Sequence, residues 1–103
     1  MYIYNTTYFV SKDIFSVWIE WVKSIHIGDM TRMGFSSPQI FKVLTTDSEQ
    51  KELSISVQFT IESLEKLNEW KERYLVILKR DIYHRFGEKV LPFDTVLEII
   101  TKE

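Results

Sequence analysis

The stretch Ser54-Ile55-Ser56-Val57-Gln58-Phe59-Thr60-Ile61 alternates polar and apolar residues without a break. An unbroken period of two marks a strand with one face buried and the other open, and it fixes which residues share a face. Ser63 follows at once as a helix-capping residue. Behind it Leu64, Leu67, Tyr74, Leu75, Leu78, Ile82 and Phe86 recur at helical spacing until Gly87 stops the run. Lys89 to Ile100 then returns to a strand pattern. Its more apolar set, Leu91, Phe93, Thr95, Leu97 and Ile99, is expected to face the core, with Val90, Asp94, Val96 and Glu98 facing away.

Upstream of the alternating stretch, Asp47-Ser48-Glu49-Gln50-Lys51 reads as a polar hairpin loop. The short strand before it, Gln39 to Thr45, is expected near a sheet edge because Pro38 precedes it and Lys42 interrupts it. Tyr2 to Val10 is rich in aromatic and β-branched residues and lacks Gly and Pro, which favours another strand. Ser11 then caps a helix with Asp13 in its first turn. From Lys12 to about Ile27 this helix places Ile14, Trp18, Trp21, Val22 and Ile25 on one side and Ser16, Glu20, Lys23 and Ser24 on the other. Gly28 or Gly34 ends it, leaving Asp29 to Pro38 as the longest irregular connection.

The resulting order, βαββαβ, is that of a ferredoxin-like α+β domain: a four-stranded antiparallel sheet with two helices on one face. One such domain accounts for residues 1–103. The expected strand order is 4-1-3-2. The sheet face away from the helices carries Asn5 and Thr7, or their neighbours Tyr4 and Thr6, beside Ser56 and Gln58. A second copy, a ligand or a partner is needed to cover it.

Composition narrows the function classes. Thirteen Lys and Arg against fifteen Asp and Glu, with the signs interleaved, offer no phosphate-binding stripe, so no nucleic acid partner is expected. An RNA-binding relative of this topology would also need stacking aromatics where Ser54, Ser56, Gln58 and Thr60 stand. The absence of cysteine excludes disulfides, thiolate metal sites and cysteine nucleophiles. With two histidines far apart in sequence, no metal site is expected, and no motif calls for a cofactor. The first residues lack a basic head and an unbroken apolar run, and no stretch approaches the roughly 18 apolar residues of a membrane span. A cytoplasmic protein without membrane contact is the expectation.

Few residues suggest chemistry. His26 closes the first helix at the margin of its apolar face, either as a base or ligand anchor at the mouth of a pocket or as a half-buried cap on its own helix. Asn5 and Gln58, on the two strands placed at the sheet centre, are amides that need partners. His26, Asn5 and Gln58 are therefore the candidate ligand-binding residues. Asp94 and Glu98 share a strand face about 13 Å apart, too far to share a proton, and read as solvated. Trp18 and Trp21 read as core. Trp70 and Ile77 fall off the inward stripe of the second helix and align with Tyr74, so Trp70, Tyr74 and Ile77 form a candidate interface.

The run Tyr4-Asn5-Thr6-Thr7, the helix Trp18-Ile19-Glu20-Trp21-Val22-Lys23 with His26-Ile27, the pair Gln58-Phe59, and Arg85-Phe86-Gly87-Glu88-Lys89 with Leu97-Glu98-Ile99-Ile100 resemble domain of unknown function 4286. These are small bacterial proteins of similar length, so the resemblance covers the whole chain. It implies an architecture similar to that of dimeric α+β barrels, in which two sheets face each other, and it implies no activity. The leading expectation is a homodimeric small-molecule-binding or regulatory module. The alternatives are a cofactor-independent enzyme of the dimeric-barrel kind, with His26 assisted by Asn5 or Gln58, and a protein-interaction adaptor.

Overall fold

The computed structural model describes residues 1–44 and 51–101, so the expected hairpin loop from Asp47 to Gln50 and the strand end at Thr45 lie outside the described residues. Strand β1 is Tyr2–Ser11, β2 is Ser36–Lys42, β3 is Glu52–Ile61 and β4 is Val90–Glu98. Helix α1 covers residues 12–32 as a 3-10 turn Lys12–Ile14, an α-helical part Phe15–Trp21, a π-helical turn Val22–His26 and a second α-helical part Ile27–Arg32. Helix α2 covers residues 64–86 in the same style, with Leu64–Trp70, a π-helical turn Lys71–Leu75 and Val76–Phe86. The four strands pair antiparallel in the order β2-β3-β1-β4, the ferredoxin-like α+β fold.

The signals at the ends of these elements are local. The Ser63 hydroxyl accepts from the Lys66 backbone N–H at 3.2 Å, satisfying one of the free donors that open α2. Gly87, at φ +61°, ends the helix. Gly28 lies within α1, which continues to Arg32 and is closed by Gly34 at φ +103°. The expected irregular connection from Asp29 is therefore mostly helix and strand. Strand β2 opens earlier than expected, at Ser36, and accommodates Pro38 by a bulge between Ser36 and Gln39, with Ser37 at φ +51°. It is an edge strand, as Pro38 requires.

Beneath both helices, Tyr4, Tyr8 and Val10 from β1 and Ile55, Val57, Phe59 and Ile61 from β3 meet Trp18, Trp21 and Val22 from α1. In β1 the choice between two faces falls to Tyr4, Thr6 and Tyr8 inward, leaving Asn5 and Thr7 on the open face. Strand β4 presents the opposite face from the one its pattern predicts. Val10 pairs with Val90 and Thr6 with Asp94, so Val90, Asp94 and Val96 lie on the helix side. Leu91, Phe93, Thr95 and Leu97 lie on the open face, the reverse of the expected order. Register with β1 decides the matter, because a strand with period two has only two placements and its neighbour selects one.

Each π-helical turn adds one residue to its helix and rotates everything after it. In α1 this brings His26 and Met30 inward and leaves Ile25 exposed, whereas uninterrupted helical spacing would bury Ile25. In α2 the turn follows Trp70, which is expected off the stripe but sits in the core at 4% exposure beside Leu67, and it leaves Tyr74, expected on the stripe, 41% exposed.

Candidate functional site

A cavity of about 230 Å³ opens between α1 and α2. The first helix and its end supply Trp21, His26, Asp29, Met30 and Met33, and the second supplies Trp70, Tyr74, Ile77, Leu78 and Asp81. The two π-helical turns make this geometry: one ends at His26, the other delivers Tyr74. Such turns are frequent at functional sites because they re-aim side chains that an α-helix would direct elsewhere.

His26 is 3% exposed, so it is a core residue at the cavity wall and not a half-buried helix cap. Its ring stacks on Trp21 at 5.0 Å between centroids and meets the edge of Phe59 at 5.8 Å. Burial among these rings disfavours the imidazolium and pushes the pKa down to about 4, with Asp29 opposing the shift. The imidazole is thus neutral at pH 7. The charges at the rim are balanced locally: Asp29 pairs with Arg32, and Arg85 donates to Asp81 at 3.0 Å while its guanidinium lies 5.9 Å from the Trp21 ring. The indole N–H groups of Trp21 and Trp70 are buried and have no partner among the described residues. What remains is an aromatic and thioether-lined slot suited to a small, flat, largely apolar molecule.

Asn5 and Gln58 are elsewhere. They are register partners on the open sheet face, on the other side of the sheet from His26, whose neighbour Phe59 points inward. The Asn5 amide donates to Thr7 at 3.4 Å, and Thr7 and Ser56 share a hydrogen bond of 3.4 Å. The Asn5 Oδ1 is buried without a partner among the described residues. Of the three candidate ligand residues, the structure brings together Asn5 and Gln58 and separates both from His26. Of the candidate interface residues, Trp70 belongs to the core, and Tyr74 and Ile77 form part of the cavity wall.

One polar cluster escaped the sequence reading. Asp94 is half-buried and paired where the sequence reads it as solvated: Thr6 Oγ1 donates to it at 3.1 Å and Lys79 Nζ lies 3.3 Å from its other oxygen. Burial, with this carboxylate adding to it, raises the hydroxyl pKa values of Tyr4 and Tyr8. An Asp in a strand gives no local sign of which face it occupies, so only the register with Thr6 reveals the cluster.

The depressed His26 pKa carries a stability consequence. The unfolded chain binds a proton at the ordinary histidine pKa of about 6.5, whereas the folded chain does so only near 4. Folding stability contributed by neutral His26 is complete above about pH 6.5 and is lost as the pH falls toward 4, by up to about 3 kcal/mol. Chemical denaturation at several pH values between about 5 and 6.5, above most carboxylate titrations, should show this slope, and His26→Gln should flatten it. An equal slope in both proteins would place the titration elsewhere.

Among the described residues no helix is long and apolar enough to cross a membrane. The family model described as Domain of unknown function (DUF4286) matches residues 1–100. No curated protein matches the chain. Among solved structures, a dimeric ferredoxin-like protein from an uncultured marine organism is similar with a TM-score of 0.68 at 7% identity, over 99% of this chain and 97% of that one. A candidate antibiotic biosynthesis monooxygenase from Deinococcus radiodurans is similar with a TM-score of 0.65 at 16% identity, over 100% and 96% of the two chains. An ethyl tert-butyl ether D family protein from Bacillus halodurans gives 0.64 at 12% identity, over 97% and 100%. At these identities the likeness is one of fold.

Proposed function

The chain belongs to the DUF4286 family, and from its fold and helix-side cavity we propose that it is a homodimeric module that binds a small molecule beside His26. The cavity itself carries this reading. At about 230 Å³ it is somewhat smaller than the roughly 300–1,000 Å³ of drug-sized sites, which suits a ligand of one or two fused rings. Dimerisation through the open sheet face is supported by its apolar margins, Leu91, Phe93 and Leu97 on β4 and Phe41 and Val43 at the β2 side, all large and exposed. The names of similar structures include dimeric proteins of this fold.

The enzyme alternative draws its support from the oxygenase-type names among those structures. Proton chemistry weighs against it. An imidazole whose conjugate acid has a pKa of about 4 is a weak base at neutral pH, so His26 serves better as a neutral hydrogen-bonding and stacking partner than as a proton acceptor.

Binding is testable with 2-naphthol, a neutral flat probe, followed by the indole N–H resonances of Trp21 and Trp70. Saturable shifts of both signals are expected. Ile77→Trp, at a position 59% exposed, should fill the cavity mouth and weaken binding by at least about tenfold. Its folding stability should stay within about 0.5 kcal/mol of the parent. Absent saturation, or unaltered binding in Ile77→Trp, would overturn the assignment of this cavity.

A further inference from the structure

We propose that the ligand carries an oxyanion head, a carboxylate or a phosphate, and that Arg73 binds it in a second cavity alongside the first; the inference rests on the small-molecule reading above. The second cavity has a volume of about 470 Å³ and shares the wall formed by Met33, Trp70 and Tyr74 with the His26 pocket. Its other charged residues differ in sign from a balanced surface: Arg32, Lys66 and Arg73 line it against the single carboxylate of Glu69.

Two of the three cations are already engaged. Arg32 pairs with Asp29, and Lys66 Nζ lies 2.6 Å from Glu62. Arg73 forms no ion pair among the described residues, although Glu69 stands one turn before it. It sits in the π-helical turn Lys71–Leu75, next to Tyr74, which lines both cavities. On this proposal the rings occupy the aromatic slot and the substituent reaches past the shared wall residue Tyr74 to the second cavity, which Arg73 lines. The planar fork of a guanidinium matches a carboxylate or phosphate in two parallel hydrogen bonds, a match that a neutral or cationic head lacks. Glu69 opposes the anion and limits its affinity.

The experiment compares 2-naphthol, 2-naphthoate and 2-naphthyl phosphate by calorimetry, on the full chain and on Arg73→Gln. The exposed position of Arg73 keeps the substitution clear of the core. At least one anion should bind about tenfold or more tighter than 2-naphthol, and the tighter of the two identifies the head group. Arg73→Gln should bring the anions to the level of 2-naphthol while leaving 2-naphthol itself within about twofold. Equal binding of all three probes, or an anion preference that survives in Arg73→Gln, would overturn the head-group assignment and leave the His26 pocket standing. Failure of every probe to bind would overturn both.

Discussion

Trp18→Ala should lose about 3–5 kcal/mol of folding free energy, the range for truncating a buried large aromatic residue. Trp18 is fully buried, with its ring 5.1 Å from that of Tyr8 and 6.1 Å from that of Phe15. It is the largest of the fully buried side chains and ties the start of α1 to the central strand β1. Removing the indole loses the transfer energy of its apolar surface and leaves a cavity that the surrounding rings fill only in part. The total stability of a domain of this size is about 5–15 kcal/mol, so the variant stands near the limit of folding. Chemical denaturation at fixed protein concentration measures the loss, and the concentration is held constant because the proposed dimerisation would add to apparent stability. A loss below about 1 kcal/mol would mean that α1 does not press this face against the sheet.

Phe93→Asp should convert the proposed dimer to a monomer. Phe93 is 56% exposed on the open face of β4, with its ring 5.2 Å from that of Phe9 across the strand pair. A face-to-face dimer would bury this margin together with Leu91 and Leu97, and a stable pairing needs about 1,000 Å² or more of total buried area. An unpaired carboxylate trapped there costs several kcal/mol of desolvation in each copy, which raises the dissociation constant by at least about a hundredfold. In the monomer the same residue faces water, so folding is spared. Light scattering coupled to gel filtration should give twice the 12.4 kDa chain mass for the parent protein at micromolar concentration and the single mass for the variant. A parent protein that is monomeric at high micromolar concentration, or a variant that still dimerises, would overturn the open face as the interface.

The placement of β4 also explains why the apolar margin escaped a reading from sequence. Leu91, Phe93 and Leu97 outweigh Val90, Asp94 and Val96 in hydrophobicity, and a rule that sends the more apolar face inward assigns them to the core. That rule presumes a chain that buries its apolar surface alone. A strand that covers helices on one side and is proposed to meet a second copy on the other has two burial demands, and its stronger apolar set need not serve the first. The candidate site was legible to a similar degree. The type of His26 and its position at the apolar margin single it out, but alternation reports faces and not which face a helix covers, so it does not separate Asn5 and Gln58 from His26. Trp70 falls off the stripe only if helical spacing runs uninterrupted through residues 71–75, and the π-helical turn there breaks that spacing.

The sequence by itself determined the element order, the faces of β3, the cap at Ser63, the stop at Gly87 and the inward side of Trp18 and Trp21, since each follows from a pattern of residue types within a few positions along the chain. Only the tertiary structure decided the register that turns Asp94 toward Thr6 and Lys79, and the π-helical turns that carry His26 into the core and break the stripe between Trp70 and Val76. Those features answer to neighbours distant in sequence. The strand phase is chosen by the adjoining strand, and a helix gains or loses a residue per turn to match the surface on which it packs.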